Sequence, residues 1–253
     1  MNQLRYPTDI CISPNGDELY ISNGNVIVLN ARDGSHLRTY DSFTQSSCVC
    51  ISHDGEFLFV GDKIKNHVQV LNAHDGSIIR TIEKLHEPIS LCVSQNGELY
   101  VCCKSRVIRV FSNGELNRSF VMDDSSYIHG ICLSPNGDEL YVVDYSNNSV
   151  KVLQSTDGSL VRTYGGQFDS PKGVCVSPSG ETLYVTESTR IHVLKTDGTY
   201  VRFMGRTIGG QPRVGNTPKG VDNPRGICIS SDGNELYVAD SGNARVKVYR
   251  ADE

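Results

Sequence analysis

The sequence predicts an all-β fold in which six similar units, each of four short antiparallel strands, close into a ring. A strand-and-turn motif recurs along the chain and is best seen at residues 224–250, PRGICISSDGNELYVADSGNARVKVYR. One motif position is always cysteine, with intervals of 39, 42, 40, 43 and 53 residues between Cys11, Cys50, Cys92, Cys132, Cys175 and Cys228. A period of about 42 residues with four short strands per repeat is typical of the blades of a β-propeller.

The first repeat shows the four strands in order. ICIS, ELYIS, NVIVLN and HLRTY are rich in β-branched and aromatic residues, and the turns Pro-Asn-Gly and Arg-Asp-Gly separate them. We predict one propeller domain over residues 1–253, with blades at about 7–42, 46–84, 88–122, 128–166, 171–206 and 224–250.

The sixth blade stops after its third strand, and the N-terminus offers a fourth. The outer strand of each earlier blade carries one matched arginine: Arg38, Arg80, Arg118, Arg162 and Arg202. Residues 3–6, Gln-Leu-Arg-Tyr, repeat the pattern of residues 36–39, His-Leu-Arg-Thr. We therefore expect residues 2–6 to complete blade six and to close the ring. The matched arginines are expected to have a structural role, with the stem on the blade face and the head in a local pair.

The repeats resemble the NHL family over the whole chain. The resemblance is strongest in PRGICISSDGNELYVADSGNARVKVY and in GICLSPNGDELYVVDYSNNSVKVL of blade four. Blades one and three depart from the pattern, because Ser22 and Cys103 stand where the family has aspartate. The YVTN propellers are also similar, and they tend to have seven blades. The resemblance implies a six-bladed propeller, and that fold serves many functions.

Composition narrows the classes of protein. The formal net charge of −5 is unlike that of a dedicated nucleic-acid binder, and no apolar run is long enough to span a bilayer. The nine cysteines are an odd number, and the N-terminus lacks the apolar core of a signal peptide. We expect reduced thiols, a cytoplasmic location and a monomer that does not associate with membranes. The six matched cysteines are expected to be small packed side chains rather than metal or redox groups.

The predicted top face, formed by the loops between blades and the turns between second and third strands, holds the candidate binding residues. The longest irregular segment, 205–223, is basic and glycine-rich. Together with the starts of nearby inner strands it forms a basic arc over blades four to six, consisting of His129, Lys172, Arg206, Arg213, Lys219 and Arg225. An acidic peptide, a phosphate group or RNA would suit this arc.

The sequence contains no motif for catalysis. His67, His86 and His129 fall on the predicted top face, but none has the local spacing of a zinc site. Acidic residues that end second strands, paired with an arginine across the turn, are expected to be turn caps with local ion pairs. We predict a non-enzymatic interaction module for a protein or peptide, with no cofactor, no metal and no catalytic residue. The alternatives are RNA binding by the top face, as in tripartite-motif NHL domains, and a metal-dependent lyase or hydrolase.

Overall fold

A computed structural model of the chain describes residues 4–104, 106–124, 126–205 and 220–252. Within these residues, 23 strands form six antiparallel sheets, five of four strands and one of three. The strands of blades one to three are β1 (Asp9–Ile12), β2 (Glu18–Asn23), β3 (Asn25–Asn30), β4 (His36–Tyr40), β5 (Ser46–Ile51), β6 (Phe57–Asp62), β7 (His67–Asn72), β8 (Ile78–Ile82), β9 (Pro88–Val93), β10 (Leu99–Cys103), β11 (Val107–Ser112) and β12 (Glu115–Val121).

Blades four to six follow the same order from the inner to the outer strand. Their strands are β13 (Ile128–Leu133), β14 (Glu139–Asp144), β15 (Ser149–Gln154), β16 (Leu160–Gly165), β17 (Val174–Val176), β18 (Thr182–Glu187), β19 (Arg190–Lys195), β20 (Tyr200–Met204), β21 (Pro224–Ile229), β22 (Glu235–Asp240) and β23 (Arg245–Arg250). One 3-10 turn, Ser241–Asn243, joins β22 to β23. The described part of the chain contains no helix of the length and apolar character that a membrane crossing needs.

The sheets close into a six-bladed β-propeller, as predicted. The inner strands β1, β5, β9, β13, β17 and β21 contact one another in a circle. Six apolar clusters lie between the sheets, one at each of the six interfaces between neighbouring blades. Alternate side chains of the second strands therefore enter the core on one side or the other, as a strand buried on both faces requires, whereas the outer strands are largely exposed.

The six matched cysteines all lie on inner strands. They line a central cavity of about 290 Å³ together with their strand neighbours. All nine cysteines are free thiols, and burial, the largest cause in each case, raises their pKa. The thiols are therefore protonated at neutral pH, as expected for packed side chains.

The predicted closing strand is wrong for the residues that the structure describes. Blade six has three strands there, and residues 4–6 belong to none. The backbone amides of Arg5 and Tyr6 donate to the side-chain oxygen of Asn23 in blade one, at 2.9 and 3.0 Å. This local capture holds the segment beside blade one, although Leu4 still packs on the cluster between blades six and one. Residues 2 and 3 lie outside the described residues.

The ring closes instead through the inner strands of blades six and one. The Gly226 amide donates to the Thr8 carbonyl at 3.1 Å. Ile10 and Ile21 of blade one pack against Tyr237 and Ala239 of blade six.

The matched outer-strand arginines join neighbouring blades. In blade one, Arg38 forms two hydrogen bonds of 2.6 Å with the Glu18 carboxylate and also contacts the hydroxyl of Tyr20. It then donates to the Ala73 carbonyl of blade two at 3.1 Å. We call this unit the arginine clamp: an outer-strand arginine, a glutamate and a tyrosine on the second strand, and a carbonyl of the next blade.

Blades three and four repeat the clamp with equivalent residues. The groups are Arg118, Glu98, Tyr100 and the Ser155 carbonyl in blade three, and Arg162, Glu139, Tyr141 and the Thr196 carbonyl in blade four. In all five four-stranded blades the arginine faces a valine of the third strand, directly before a register shift. The matched arginine is thus structural, as predicted, where the clamp is complete.

Candidate functional site at the mouth of the central channel

The top end of the channel is formed by the residues three positions before each matched cysteine. These residues are Thr8, Ser47, Ile89, His129, Lys172 and Arg225. The first three are neutral and the last three are basic, so the two halves of the mouth differ in charge. The basic half spans blades four, five and six.

Glycines bring the three basic residues side by side. A Cβ atom at Gly130 would lie 2.3 Å from the Lys172 carbonyl oxygen, and one at Gly173 would lie 2.1 Å from the Arg225 carbonyl oxygen. Glycine at these two positions lets neighbouring inner strands approach more closely than a side chain would permit. Each of the three basic residues directly precedes a glycine. His129, Lys172 and Arg225 are consequently neighbours around the mouth.

Burial and the neighbouring positive charges shift the pKa of His129 and of Lys172. Burial, followed by the positive charges of Arg225 and Lys172, lowers the pKa of His129 to about 4. Burial and then Arg225 also lower the pKa of Lys172, and Asp222 partly opposes this effect. His129 is therefore neutral at pH 7, and burial beside Arg225 disfavours the charged form of Lys172.

The two cations lack carboxylate partners among the described residues. No ion pair of Lys172 or Arg225 is found there, and Lys172 contacts the Asn223 side-chain oxygen instead. The Nε atom of Arg225 is buried and has no hydrogen-bond acceptor in the described part of the chain. A buried donor without an acceptor costs about 1–3 kcal/mol, so an incoming anion that accepts from it would be favoured.

Two tyrosines beside this cluster were not predicted from the sequence. The Tyr145 ring lies 6.2 Å from the His129 ring and 6.0 Å from the Tyr127 ring, with centroid distances in both cases. Tyr145 is 36% exposed. The sequence feature that could have identified Tyr145 is its place in the polar turn Tyr145-Ser-Asn-Asn148, since an aromatic side chain is unusual in such a turn.

The acidic residues that end second strands are turn caps, as predicted. Asp62 is fully buried and accepts the backbone amides of Thr44, Ile64 and Lys65 at 2.7–3.1 Å. Asp240 is also fully buried and pairs with Arg245 at 2.7 Å. Backbone amides and neighbouring cations thus occupy the carboxylates, which leaves them poorly suited to proton transfer.

Of the other candidate residues, the two that the structure describes, His67 and His86, do not join the cluster. Arg206, Arg213 and Lys219 lie outside the described residues. His67 lies 3.9 Å from Glu83, and His86 is exposed on another blade. Among the described residues, no three His, Cys, Asp or Glu side chains are arranged to hold a metal ion.

Comparisons with known proteins agree with this architecture. The NHL repeat family matches residues 126–153 and 222–249. Hydrazine synthase of Kuenenia stuttgartiensis superposes with a TM-score of 0.73 and 18% identity, over 99% of this chain and 96% of that chain. A functionally unknown protein from Desulfotomaculum acetoxidans superposes with a TM-score of 0.71 and 17% identity, over 100% and 87%. No curated protein sequence matches the chain. At these identities, the structural matches show the fold alone.

Proposed function

Because the chain is a six-bladed β-propeller of NHL repeats, a fold commonly used as an interaction module, we propose that it is a non-enzymatic binding module for a protein or peptide. The partner presents an acidic segment to the basic half of the channel mouth. His129, Lys172 and Arg225 form the floor of this site. The sequence predicts Arg206, Arg213 and Lys219 of the adjoining segment as further members, and they lie outside the described residues.

The observation that carries the proposal is the pair of cations without carboxylate partners at the mouth. In a folded protein a cation is usually paired or solvated, and Arg225 Nε is neither in the described residues. Carboxylates of an acidic segment would accept from Arg225 and Lys172 in charge-assisted hydrogen bonds. The inner strands fix the backbone positions of these residues, so little ordering is needed upon binding.

RNA is the second candidate, and the exposed Tyr145 is the observation that favours it. Single-stranded nucleic acids bind where cations contact the backbone and aromatic rings stack on bases. Tyr145 and Tyr127 stand beside the cations in this way. The net charge of −5 weighs against RNA, because proteins dedicated to nucleic-acid binding are usually basic.

The test compares two fluorescent probes, octaglutamate and octauridylate, by anisotropy at low and moderate salt. We expect the double variant K172A/R225A to weaken octaglutamate binding about 10- to 100-fold, because each lost hydrogen bond is worth about 0.7–1.4 kcal/mol. The matched control is R32A/R250A, which removes the same charge from exposed sites away from the mouth.

Three outcomes are distinguishable. Loss of octaglutamate binding in K172A/R225A but not in the control supports the proposal. If octauridylate binds more tightly than octaglutamate, with a steep salt dependence and a further loss in Y145A, the RNA alternative is correct. If both double variants bind both probes equally, the mouth is not the binding site.

A further inference from the structure

Blade two departs from the arginine clamp in a way that opens a groove. Phe57 and Phe59 stand where blade one has Glu18 and Tyr20, since both pairs lie at the same register of the second strand. Arg80 is therefore left with one hydrogen bond in the described structure, 2.7 Å from its Nη1 to the Asn113 carbonyl of blade three. Unlike Arg38, Arg80 is exposed to solvent.

The groove lies between blades two and three on the bottom face, and its volume is about 640 Å³. Phe57, Phe59, Ile79 and Val93 provide apolar walls, and Arg80 stands among them. Phe57 is 39% exposed and Ile79 is 50% exposed. Ile79 is exposed like its equivalents Leu37 and Val161, so it is the exposed Phe57 beside it and Arg80 that make this apolar surface a candidate binding site.

A cavity also accompanies the missing glutamate in blade five. Thr182 occupies the glutamate position there, and a cavity of about 530 Å³ lies beside Arg202, the matched arginine of that blade. That cavity contains Glu181, Lys195 and Asp197, so its lining is polar and its charges are mixed. The groove at blade two also contains one carboxylate, Asp54, which accepts from Ser52 Oγ and the Glu56 amide and forms no ion pair with Arg80 among the described residues. Its walls beside Arg80 are apolar, and this distinguishes it from the groove at blade five.

We propose that the groove beside Phe57 binds a protein segment in which a carboxylate side chain lies next to a large apolar side chain. The carboxylate pairs with Arg80 and takes the place of the glutamate that blade two lacks. The apolar side chain packs between Phe57, Phe59 and Ile79. This surface is distinct from the channel mouth, which is on the opposite face.

Complementarity to Arg80 and the groove walls selects this occupant. A neutral apolar segment would leave the guanidinium without its partner, and a purely acidic segment would leave the phenyl rings in water. The volume of the groove is within the range of ligand pockets, about 300–1,000 Å³, and fits more than one side chain. The outer strand β8 borders it as the edge of its sheet, and its backbone groups suit a peptide better than a free carboxylic acid.

The experiment selects heptapeptides from a random display library on the wild-type protein, with counter-selection on F57E/F59Y. This double variant gives blade two the glutamate and tyrosine of the blade-one clamp, which fills the groove. Blade one folds with these same residues, so the core should tolerate them. We expect enriched peptides with Asp or Glu beside Phe, Leu, Ile or Met. Their affinity should fall at least 10-fold in F57E/F59Y and in R80A, and a peptide with Glu replaced by Gln should lose a similar factor.

Several results would overturn the proposal. Enrichment of neutral peptides, equal binding to R80A, or the absence of any peptide that prefers the wild-type protein each excludes the carboxylate contact with Arg80. R80A removes one exposed hydrogen bond, so it folds even if F57E/F59Y does not. Binding of 4-phenylbutyrate as tight as that of the selected peptides would make this a site for small acids and not for a protein segment. K172A/R225A should bind the selected peptides normally, which separates this site from the channel mouth.

Discussion

Replacing Arg38 by alanine should destabilise the protein far more than the same change at Arg80. The two arginines occupy the same position in blades one and two. Arg38 forms a two-point ion pair with Glu18, with 27% and 24% of the two side chains exposed, and it also bonds two tyrosines and a carbonyl. Arg80 forms one hydrogen bond from an exposed position.

The expected magnitudes follow from what each change leaves behind. R38A leaves the half-buried Glu18 carboxylate without its cation, which costs about 2–3 kcal/mol of unfolding free energy. In a domain of this size that corresponds to a fall in Tm of about 4–12 °C. R80A leaves no buried charge, so its cost should be about 0.5 kcal/mol or less.

Urea unfolding at several pH values tests this reasoning. Arg38 is the main cause that lowers the pKa of Glu18. A carboxylate with a lowered pKa contributes stability above its unfolded pKa and loses it as the pH falls through the folded pKa. The difference between wild type and R38A should therefore be complete at pH 7 and shrink below about pH 4.5. Equal losses in R38A and R80A, or a difference that persists unchanged to pH 3, would refute the clamp as a stabilising unit.

Three further predictions concern the inner strands. Burial raises the pKa of Asp9 to about 7, so the folded state holds an extra proton between about pH 4 and 7, and stability should fall as the pH rises through that range. D9S should flatten this fall in urea midpoints, because Ser90, its equivalent in blade three, accepts a neighbouring amide without titrating. G226A should unfold at much lower temperature than G165A. A Cβ at Gly226 would lie 2.5 Å from the Asp9 Cα, whereas one at Gly165 meets its nearest atom at 3.8 Å. Similar melting temperatures of the two variants would contradict this prediction. Ellman's reagent at pH 8 should react slowly with the native protein and with nine thiols once urea unfolds it, because burial raises the pKa of every cysteine.

Periodic features of the sequence predicted most of the fold, because every blade must solve the same packing problem. The matched cysteines fixed the inner strands, and the glycine turns fixed the number of strands in a blade. The prediction of the closing strand was wrong for a reason that the repeat pattern does not show. In blade one the side chain of Asn23 accepts the amides of Arg5 and Tyr6. A matched arginine alone does not make a strand, because the backbone must also find its partners.

At the channel mouth, the sequence identified the basic residues but not the reason they meet. The closeness of His129, Lys172 and Arg225 depends on Gly130 and Gly173, and only coordinates show how near the neighbouring carbonyls are. The sequence places the turn of Tyr145 on the top face, but only the structure shows that its ring lies beside that of His129.

The groove of blade two illustrates what a repeat protein reveals once its blades are compared in space. Phe57 and Phe59 are ordinary strand residues in the linear sequence, and the matched Arg80 suggests nothing unusual. When blade two is compared with blade one, Phe57 and Phe59 stand where Glu18 and Tyr20 would hold the arginine. Two phenyl rings thus replace a carboxylate and a hydroxyl, although the arginine is present in both blades. The single hydrogen bond that Arg80 forms with Asn113 among the described residues contributes little from an exposed position. A carboxylate supplied from outside the chain would give Arg80 the two-point partner that Glu18 gives Arg38, which the R80A and F57E/F59Y comparison tests directly.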